Sequence, residues 1–349
     1  MCSLSPNWDH GLEVQWTKIL VRATNWLGDA ILALPALRAL RARFPRAQIT
    51  VLARPWVADL YRREPCCDQV LLCQGRRRLV RELRSLRFDA AILLPNAFEA
   101  ALLVRIAGIP RRIGYNRDHR GFLLTDAIPP PKPGAIPPHQ ALYCLELLRR
   151  AAILDAIPPT GSIQLHGAEQ ARRAGQRTFA AMGLSGPVIG ISPGAQNSRA
   201  KQWLPERFAE AAGQLARALG GSVAIFGSAS ERMLAQAVAE AIRRAGHPVL
   251  NLAGETSLVQ FLELAAACRV FLTNDSGAMH VAAALGAPTV AIFGPTIEAE
   301  TGPLSPRAQV VRAPVECSFC MLRDCPTDHR CMTRISAEHV AQAALELLK

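Results

Sequence analysis

The sequence is poor in what several function classes require. Only 5% of its 349 residues are aromatic and only 19% are charged, whereas 50% are apolar. A chain this apolar buries an interior and falls outside the composition of disordered proteins. No apolar run approaches the roughly 18 residues that span a bilayer; Ala90 to Leu94, for example, ends at Pro95. Residues 1–17 carry Asp9, His10 and Glu13 where a secretion signal would have its apolar centre. They are therefore expected to form a poorly ordered extension, and the protein is expected to stay in the cytoplasm. Neither a Walker A sequence nor GxGxxG occurs, which removes support from kinase, ATPase and dehydrogenase readings. RNP aromatics and a C2H2 pattern are also absent, so the positive charge comes without an RNA-binding signature.

What is present points to a two-domain α/β protein. The length suits two domains of ordinary size, and apolar runs of strand length alternate with helical stretches, the mark of parallel sheets. In the first half the strands are expected at Lys18 to Ala23, Ile49 to Ala53, Gln69 to Cys73 and Asp89 to Leu94. Helices are expected at Gly28 to Phe44, Arg76 to Arg87 and Gln140 to Ala152. Prolines between Ala127 and His139 make that segment a loop. A hinge is expected between about Ile157 and Gly186. In the second half, strands are expected at Val188 to Ser192, Ser222 to Phe226, Val270 to Asn274 and Thr289 to Phe293, again with helices between them. The resulting domains are 18–165 and 166–335, with a last helix (336–349) folding back across the hinge. Two similar halves would flank one cleft, and ligands in such sheets lie beyond the carboxyl ends of the strands.

Four strand-ending segments carry the residues of chemical interest: Thr24 to Asp29, Ser192 to Lys201, Phe226 to Glu231, and Asn274 to His280. In the last, a helix opening near Gly277 would present free amides and the positive end of its dipole to a diphosphate. Ser276 could add its hydroxyl, and His280 lies one turn on; equally, Asp275 or Ser276 could simply cap the helix. Asp29 opens the first helix, where the dipole would keep it ionised as a general base requires, or where it is an ordinary cap. Trp26 either stacks on a sugar or packs. Lys201 would neutralise a diphosphate leaving group or be solvated. Glu231 would accept from ribose hydroxyls or complement a helix dipole.

Formal net charge is +12, which favours an anionic partner such as nucleic acid, a phosphosugar or an acidic membrane surface. Ten cysteines in a cytoplasmic chain argue for free thiols or a metal rather than disulfides. Cys317 and Cys320 have zinc-like spacing, but the gaps to Cys325 and Cys331 fit no standard ribbon, so reduced thiols packing a loop are the expected state.

Taken in order, these segments resemble the lipopolysaccharide heptosyltransferase family. Thr24-Asn25-Trp26-Leu27-Gly28-Asp29 followed by Leu34-Pro35-Ala36-Leu37 is similar to the family's amino-terminal signature, with the Asn-Trp-Leu-Gly-Asp wording of its type II branch. Ser192-Pro193-Gly194-Ala195 with Lys201 and Trp203, Asn274 to Gly277 with His280, and the Cys317 to Cys331 tail extend the likeness. The resemblance implies a GT-B fold of two Rossmann-like domains. It implies ADP-L-glycero-β-D-manno-heptose as donor and heptosyl-Kdo2-lipid A as acceptor, in an inverting transfer. By the same analogy Asp29 is the catalytic base and Lys201 meets the diphosphate. Glu231 meets the ribose, and Ser192, Gly194, Asp275, Ser276, Gly277 and His280 line the donor site. Asn25, Trp26, Arg111, Arg112, Arg117 and Arg120 are the candidates for the anionic acceptor. No cofactor is implied, and the absence of any Asp-x-Asp agrees with a metal-independent reaction. The basic surface would also rest on the anionic cytoplasmic face of the inner membrane. The alternatives are a type I or type III enzyme with a different acceptor, or a non-catalytic nucleotide- or RNA-binding module.

Overall fold

A computed structural model describes residues 15–184, 186–196 and 198–349. Most of the expected extension, residues 1–14, lies outside the described residues. Its carboxyl end is anchored: Trp16 stacks on Phe44 with ring centroids 5.1 Å apart, and Thr17 donates from its amide to Asp89 at 2.7 Å.

The first half comprises β1 (Lys18–Arg22), α1 (Leu27–Leu32), α2 (Leu34–Arg43), β2 (Gln48–Ala53), α3 (Pro55–Arg62), β3 (Gln69–Leu72), α4 (Arg76–Leu86), β4 (Ala90–Leu93), α5 (Phe98–Ile106), β5 (Arg111–Tyr115), β6 (Asp126–Ile128) and α6 (Gln140–Arg150). The second comprises α7 (Ala168–Ala181), β7 (Val188–Ser192), α8 (Pro205–Leu219), β8 (Ser222–Ile225), α9 (Arg232–Arg244), β9 (Val249–Asn251), α10 (Leu258–Ala267), β10 (Val270–Asn274), α11 (Gly277–Ala284), β11 (Thr289–Phe293), α12 (Glu298–Thr301), β12 (Ala308–Arg312), α13 (Arg330–Thr333) and α14 (Ala337–Glu346).

Each half holds one six-stranded sheet, ordered β3-β2-β1-β4-β5-β6 and β12-β11-β10-β7-β8-β9, and the recorded pairings are parallel. Counting the second sheet from its own first strand gives the same Rossmann-type order as the first. Strand order therefore reverses between β1 and β4 in one half and between β7 and β10 in the other. These are the points where crossover helices leave to opposite faces and open a crevice at the carboxyl ends of the strands. Three of the four chemically rich segments follow these strands (β1, β7 and β10), and the fourth, Phe226 to Glu231, follows the adjacent β8.

Three apolar clusters account for most of the core. One covers the outer face of the first sheet under α4 and α5, and one packs α8, α9 and α14 on the second. The largest is continuous between the halves and joins α1, α2, α3 and α6 to α7, α10 and α11. Backbone bonds stitch the connecting segment to both sides: Leu165 donates to Ala284 O at 2.8 Å and Ile163 to Leu304 O at 2.9 Å. Glu64, buried in the first half, accepts from the His166 amide at 2.9 Å and from Arg38 at 2.8 Å.

Two expectations about this region are corrected. The proposed hinge contains a full helix, α7, whose polar sequence hid it; Gly175 lets it lie so close to α10 that an added Cβ would meet Glu263 O at 2.0 Å. The carboxy-terminal helix does not cross the hinge: α14 packs on α8 within its own half, where Val340, Ala341, Ala343 and Ala344 are buried.

Candidate active site

The two crevices face each other and α1 meets α11. Glycine is required at that crossing: a Cβ on Gly28 would stand 2.9 Å from His280 Cδ2, and one on Gly277 would stand 3.3 Å from the Gly28 nitrogen. The amino ends of both helices are thereby brought to one place.

Two cavities meet there. One, of about 650 Å³, lies between the halves and is lined by Ser192, Gly194, Lys201, Glu231, Asp275, Ser276, Gly277 and His280, with Trp26, Gly28, Asp29 and Trp56 from the first half. The other, of about 310 Å³, belongs to the first half and is lined by Asn25, Trp26, Asp29, Asn96, Gln140 and Tyr143. Asp29 and Trp26 line both. A larger hollow of about 1190 Å³ lies at the amino-terminal edge of the second sheet, against Val188, Arg269 and Arg307, away from these loops.

Asp29 lies in the first turn of α1. Water reaches its side chain, but the surrounding protein raises its carboxyl above the ordinary value of 3.8, and the charge of Lys201 across the cleft pulls it partly back. Desolvation thus acts against the lowering expected at a helix start. A carboxylate that is more basic than usual and still reached by solvent is suited to accept a proton.

Lys201 is held by Asp275, its Nζ 2.7 Å from Oδ2, and the same oxygen accepts from Thr296 Oγ1 at 2.8 Å. An ammonium has three donors, so this pairing aims Lys201 and leaves capacity for a ligand. Asn274, which the sequence motif contains without a role, fixes the facing loop: its amide donates to Pro193 O at 2.8 Å and its Oδ1 accepts from Trp203 N at 2.9 Å. Ser276 is the extended N-cap residue of α11 and makes no side-chain cap bond; its hydroxyl lies 3.2 Å from that of Thr273. The start of α11 therefore offers backbone amides toward the cavity, the geometry that suits an anion. His280 is buried and its pKa falls to about 4 through desolvation, so the imidazole packed against Gly28 is neutral at physiological pH.

Glu231 has two tasks. Its Oε2 accepts from Ser228 N at 2.7 Å and from Ser228 Oγ at 2.8 Å, closing a capping box, while Oε1 crowds Gly194 so that an added Cβ there would be 2.0 Å away. Both the capping role and a place on the cavity wall are therefore present.

On the first-half side, Trp26 is 51% exposed and Trp56, not anticipated from the sequence, is 57% exposed. Trp56 Nε1 donates to Asn25 O at 2.8 Å. Buried Arg22, also unanticipated, donates to Asn25 Oδ1 at 2.7 Å, so Asn25 spends that oxygen on shaping its own loop. The signal for Arg22 was a lone charge ending an apolar strand.

The arginine assignments need correction. Arg120 is 0% exposed; it donates to Tyr115 O at 3.0 Å and Ala97 O at 3.2 Å, as well as to Pro95 O. It thus supports the first-half cavity from behind and has no free face for a ligand. Arg111 and Arg112 pair in register with Ala90 and Ala91, at the amino end of the sheet and opposite the cleft. Arg111 is bound to Asp126 at 2.7 Å, and Arg112 donates to Leu123 O at 2.8 Å and Ile109 O at 2.6 Å. Arg117 is exposed in the turn after β5, at the cleft end but outside the lining of either cavity.

The nine described cysteines are free. Among the described residues, no group of three or more His, Cys, Asp or Glu is arranged to hold a metal ion. Cys317 and Cys320 are exposed and Cys331 is buried, while His329 Nε2 is occupied with Ala200 O at 2.7 Å. This tail covers the Lys201 loop, and Arg323 from it reaches the cavity wall.

Comparison with known proteins gives a consistent picture. The profile of glycosyltransferase family 9 (heptosyltransferase) matches residues 76–330. Lipopolysaccharide heptosyltransferase 2 of Salmonella typhimurium is 38% identical, with 84% of this chain and 88% of that protein covered. The enzyme of the same name from Escherichia coli is 37% identical over the same shares. The solved structure of E. coli ADP-heptose lps heptosyltransferase II superposes with a TM-score of 0.81 at 34% identity, covering 95% of this chain and 98% of that one.

Proposed function

The chain belongs to glycosyltransferase family 9, the heptosyltransferases, and from that membership we propose that it moves L-glycero-D-manno-heptose from ADP-heptose to the first heptose of heptosyl-Kdo2-lipid A, a step in building the lipopolysaccharide inner core. Membership in an enzyme family also sets aside the reading as a non-catalytic nucleotide- or RNA-binding module. The observation that carries the proposal is the shared position of Asp29, on the wall common to the interdomain cavity and the first-half cavity.

The donor occupies the interdomain cavity, its diphosphate between Lys201 and the amides that open α11. The acceptor sugar enters from the first-half cavity. Asp29 removes the proton from the acceptor hydroxyl as that oxygen attacks the anomeric carbon, and the bond from that carbon to the diphosphate oxygen breaks on the opposite face. The stereochemistry is therefore inverted, ADP departs with the electron pair, and Asp29 holds the proton. Lys201 and the α11 amides stabilise charge gathering on the diphosphate, where preorganised donors act most strongly. Closing of the two halves over both substrates would exclude water, the competing nucleophile. Lys201 and the amides that open α11 supply the stabilisation the diphosphate needs in this scheme, so the proposal includes no metal.

No helix among the described residues is long and apolar enough to cross a membrane; the proposal places the enzyme at the cytoplasmic face of the inner membrane, held peripherally through its positive charge.

The test is a transfer assay with ADP-heptose and Kdo2-lipid A, with and without its first heptose, reading products by mass. Product only with the monoheptosylated acceptor is expected, and product only with the unheptosylated one would assign a type I activity. Asp29→Ala should abolish product while ADP-heptose still binds; near-normal turnover in that variant would refute the assigned base.

A further inference from the structure

The basic helix α4 and its neighbour α5 lie side by side on the outer face of the first sheet. Leu79, Leu83, Ala101 and Val104 point inward into one apolar cluster. Their outward faces leave a groove of about 440 Å³, with Arg77, Arg81 and Arg84 along one wall and Val80, Leu102 and Ile106 exposing hydrocarbon within it. Arg76 lines the groove as well, and Arg78 and Arg87 add exposed positive charge in the same segment. Only two acidic side chains lie on these two helices, Glu82 and Glu99, and Glu99 is already within 3.7 Å of Arg76.

The cleft end of this surface is aromatic. Phe98 opens α5, and Phe122, from the turn after Arg120, lies with its ring centroid 6.1 Å away; the two are 41% and 72% exposed. Large exposed apolar groups rimmed by a single sign of charge mark an interaction surface. Phe98 immediately follows Asn96 and Ala97, which line the first-half cavity.

We propose that the α4–α5 groove and the Phe98–Phe122 pair form the surface by which this protein docks on an anionic lipid bilayer. Charge complementarity identifies the occupant. A row of arginines beside exposed hydrocarbon matches an interface of phosphate headgroups over acyl chains, where basic side chains bind electrostatically and aromatic rings enter the boundary. A nucleic acid would make no use of the groove's aliphatic floor. The inference rests on the proposed lipid-anchored acceptor for its purpose: docking by this face sets the mouth of the first-half cavity against the bilayer, so the acceptor's sugar enters while its lipid stays anchored.

The experiment is vesicle co-sedimentation, without sugar nucleotide or acceptor, so its outcome is independent of whether the transfer reaction has been assigned correctly. Wild-type protein should partition onto phosphatidylglycerol–phosphatidylethanolamine vesicles, leave phosphatidylcholine vesicles unbound, and be released by salt in large part but not completely. Arg77→Glu with Arg81→Glu should weaken partition by at least about tenfold. Phe122→Ser should weaken the fraction that survives high salt. Arg243→Glu with Arg244→Glu, a reversal of equal size on α9, should leave binding unchanged. Turnover on a delipidated, soluble acceptor should be unaltered in all of these variants, which also verifies that they fold. Equal partition of the groove variant and wild type would overturn the proposal, as would equal loss in the α9 control. Tight binding of polyuridylate that disappears in the groove variant would reassign the surface to nucleic acid.

Discussion

The two halves share a strand order and divide the chemistry between them. In both, the crevice opens where strand order reverses, and in both a buried polar side chain at the end of a strand fixes the neighbouring loop. In the first half this is Arg22, ending β1 and tied to Asn25; in the second it is Asn274, ending β10 and tied to Pro193 and Trp203. The loops so fixed differ in content. The first half delivers a carboxylate and two exposed indoles, Asp29, Trp26 and Trp56. The second delivers small residues, free helix amides and an aimed lysine. A repeated topology thus supplies two equivalent crevices, and the residues ending four strands decide which side handles a leaving group and which an incoming nucleophile.

After the loss of product in Asp29→Ala, the largest effect should come from disarming the second half. Lys201→Met is expected to lower kcat by about 10²–10³-fold, the cost of losing one preorganised charge donor, with the KM for acceptor little changed. A loss confined to acceptor KM would break the division of labour. On the first-half side, Arg120→Met should destabilise the fold by about 2–3 kcal/mol, because it strands buried carbonyls; Arg117→Gln, fully exposed in the same turn, should leave the denaturation midpoint unchanged. Equal midpoints for both variants would contradict the structural role given to Arg120.

Smaller effects probe the contact between the halves. Gly28→Ala pushes a methyl group against His280 and should cost about 1–3 kcal/mol of stability, as overpacking does, with a parallel fall in transfer. Glu231→Ala removes one capping box, worth about 1 kcal/mol. If Glu231 also meets the donor, the KM for ADP-heptose rises several-fold at constant kcat; a stability loss with unaltered KM would leave it a cap alone.

Much of this arrangement is legible in the sequence, for identifiable reasons. The eight strands that were expected, which include the four flanking the crevices, are apolar runs, and their boundaries read well. The strands that escaped notice are β5, β6, β9 and β12. They lie away from the switch points, and they are either three residues long or have a polar group among their first two residues, as in Arg111-Arg112 of β5 and Gln309 of β12. Helix α7 escaped because its apolar face is thin and Gly175 reads as a breaker, whereas its purpose is close approach to α10. In the site, the motif residues on strand ends were found, Asn274 among them, but the supporting partners Arg22, Trp56 and Thr296 are fixed by tertiary packing that spacing does not reveal. Arg111, Arg112 and Arg120 were misplaced because sequence gives charge and not direction: strand register turns the first two away from the cleft, and burial spends the third on backbone carbonyls.

The central claim is that one carboxylate and one ammonium, from opposite halves, act across a single cleft. The pH dependence of kcat/KM measures this directly. Asp29 must be ionised to accept a proton, so activity should fall as pH drops through its pKa, which burial places above 3.8. Lys201 lowers that pKa, so the acid limb of the residual activity in Lys201→Met should move to higher pH. An acid limb at the same pH in wild type and variant would mean that the two groups do not sense each other, and the shared site would be disproved.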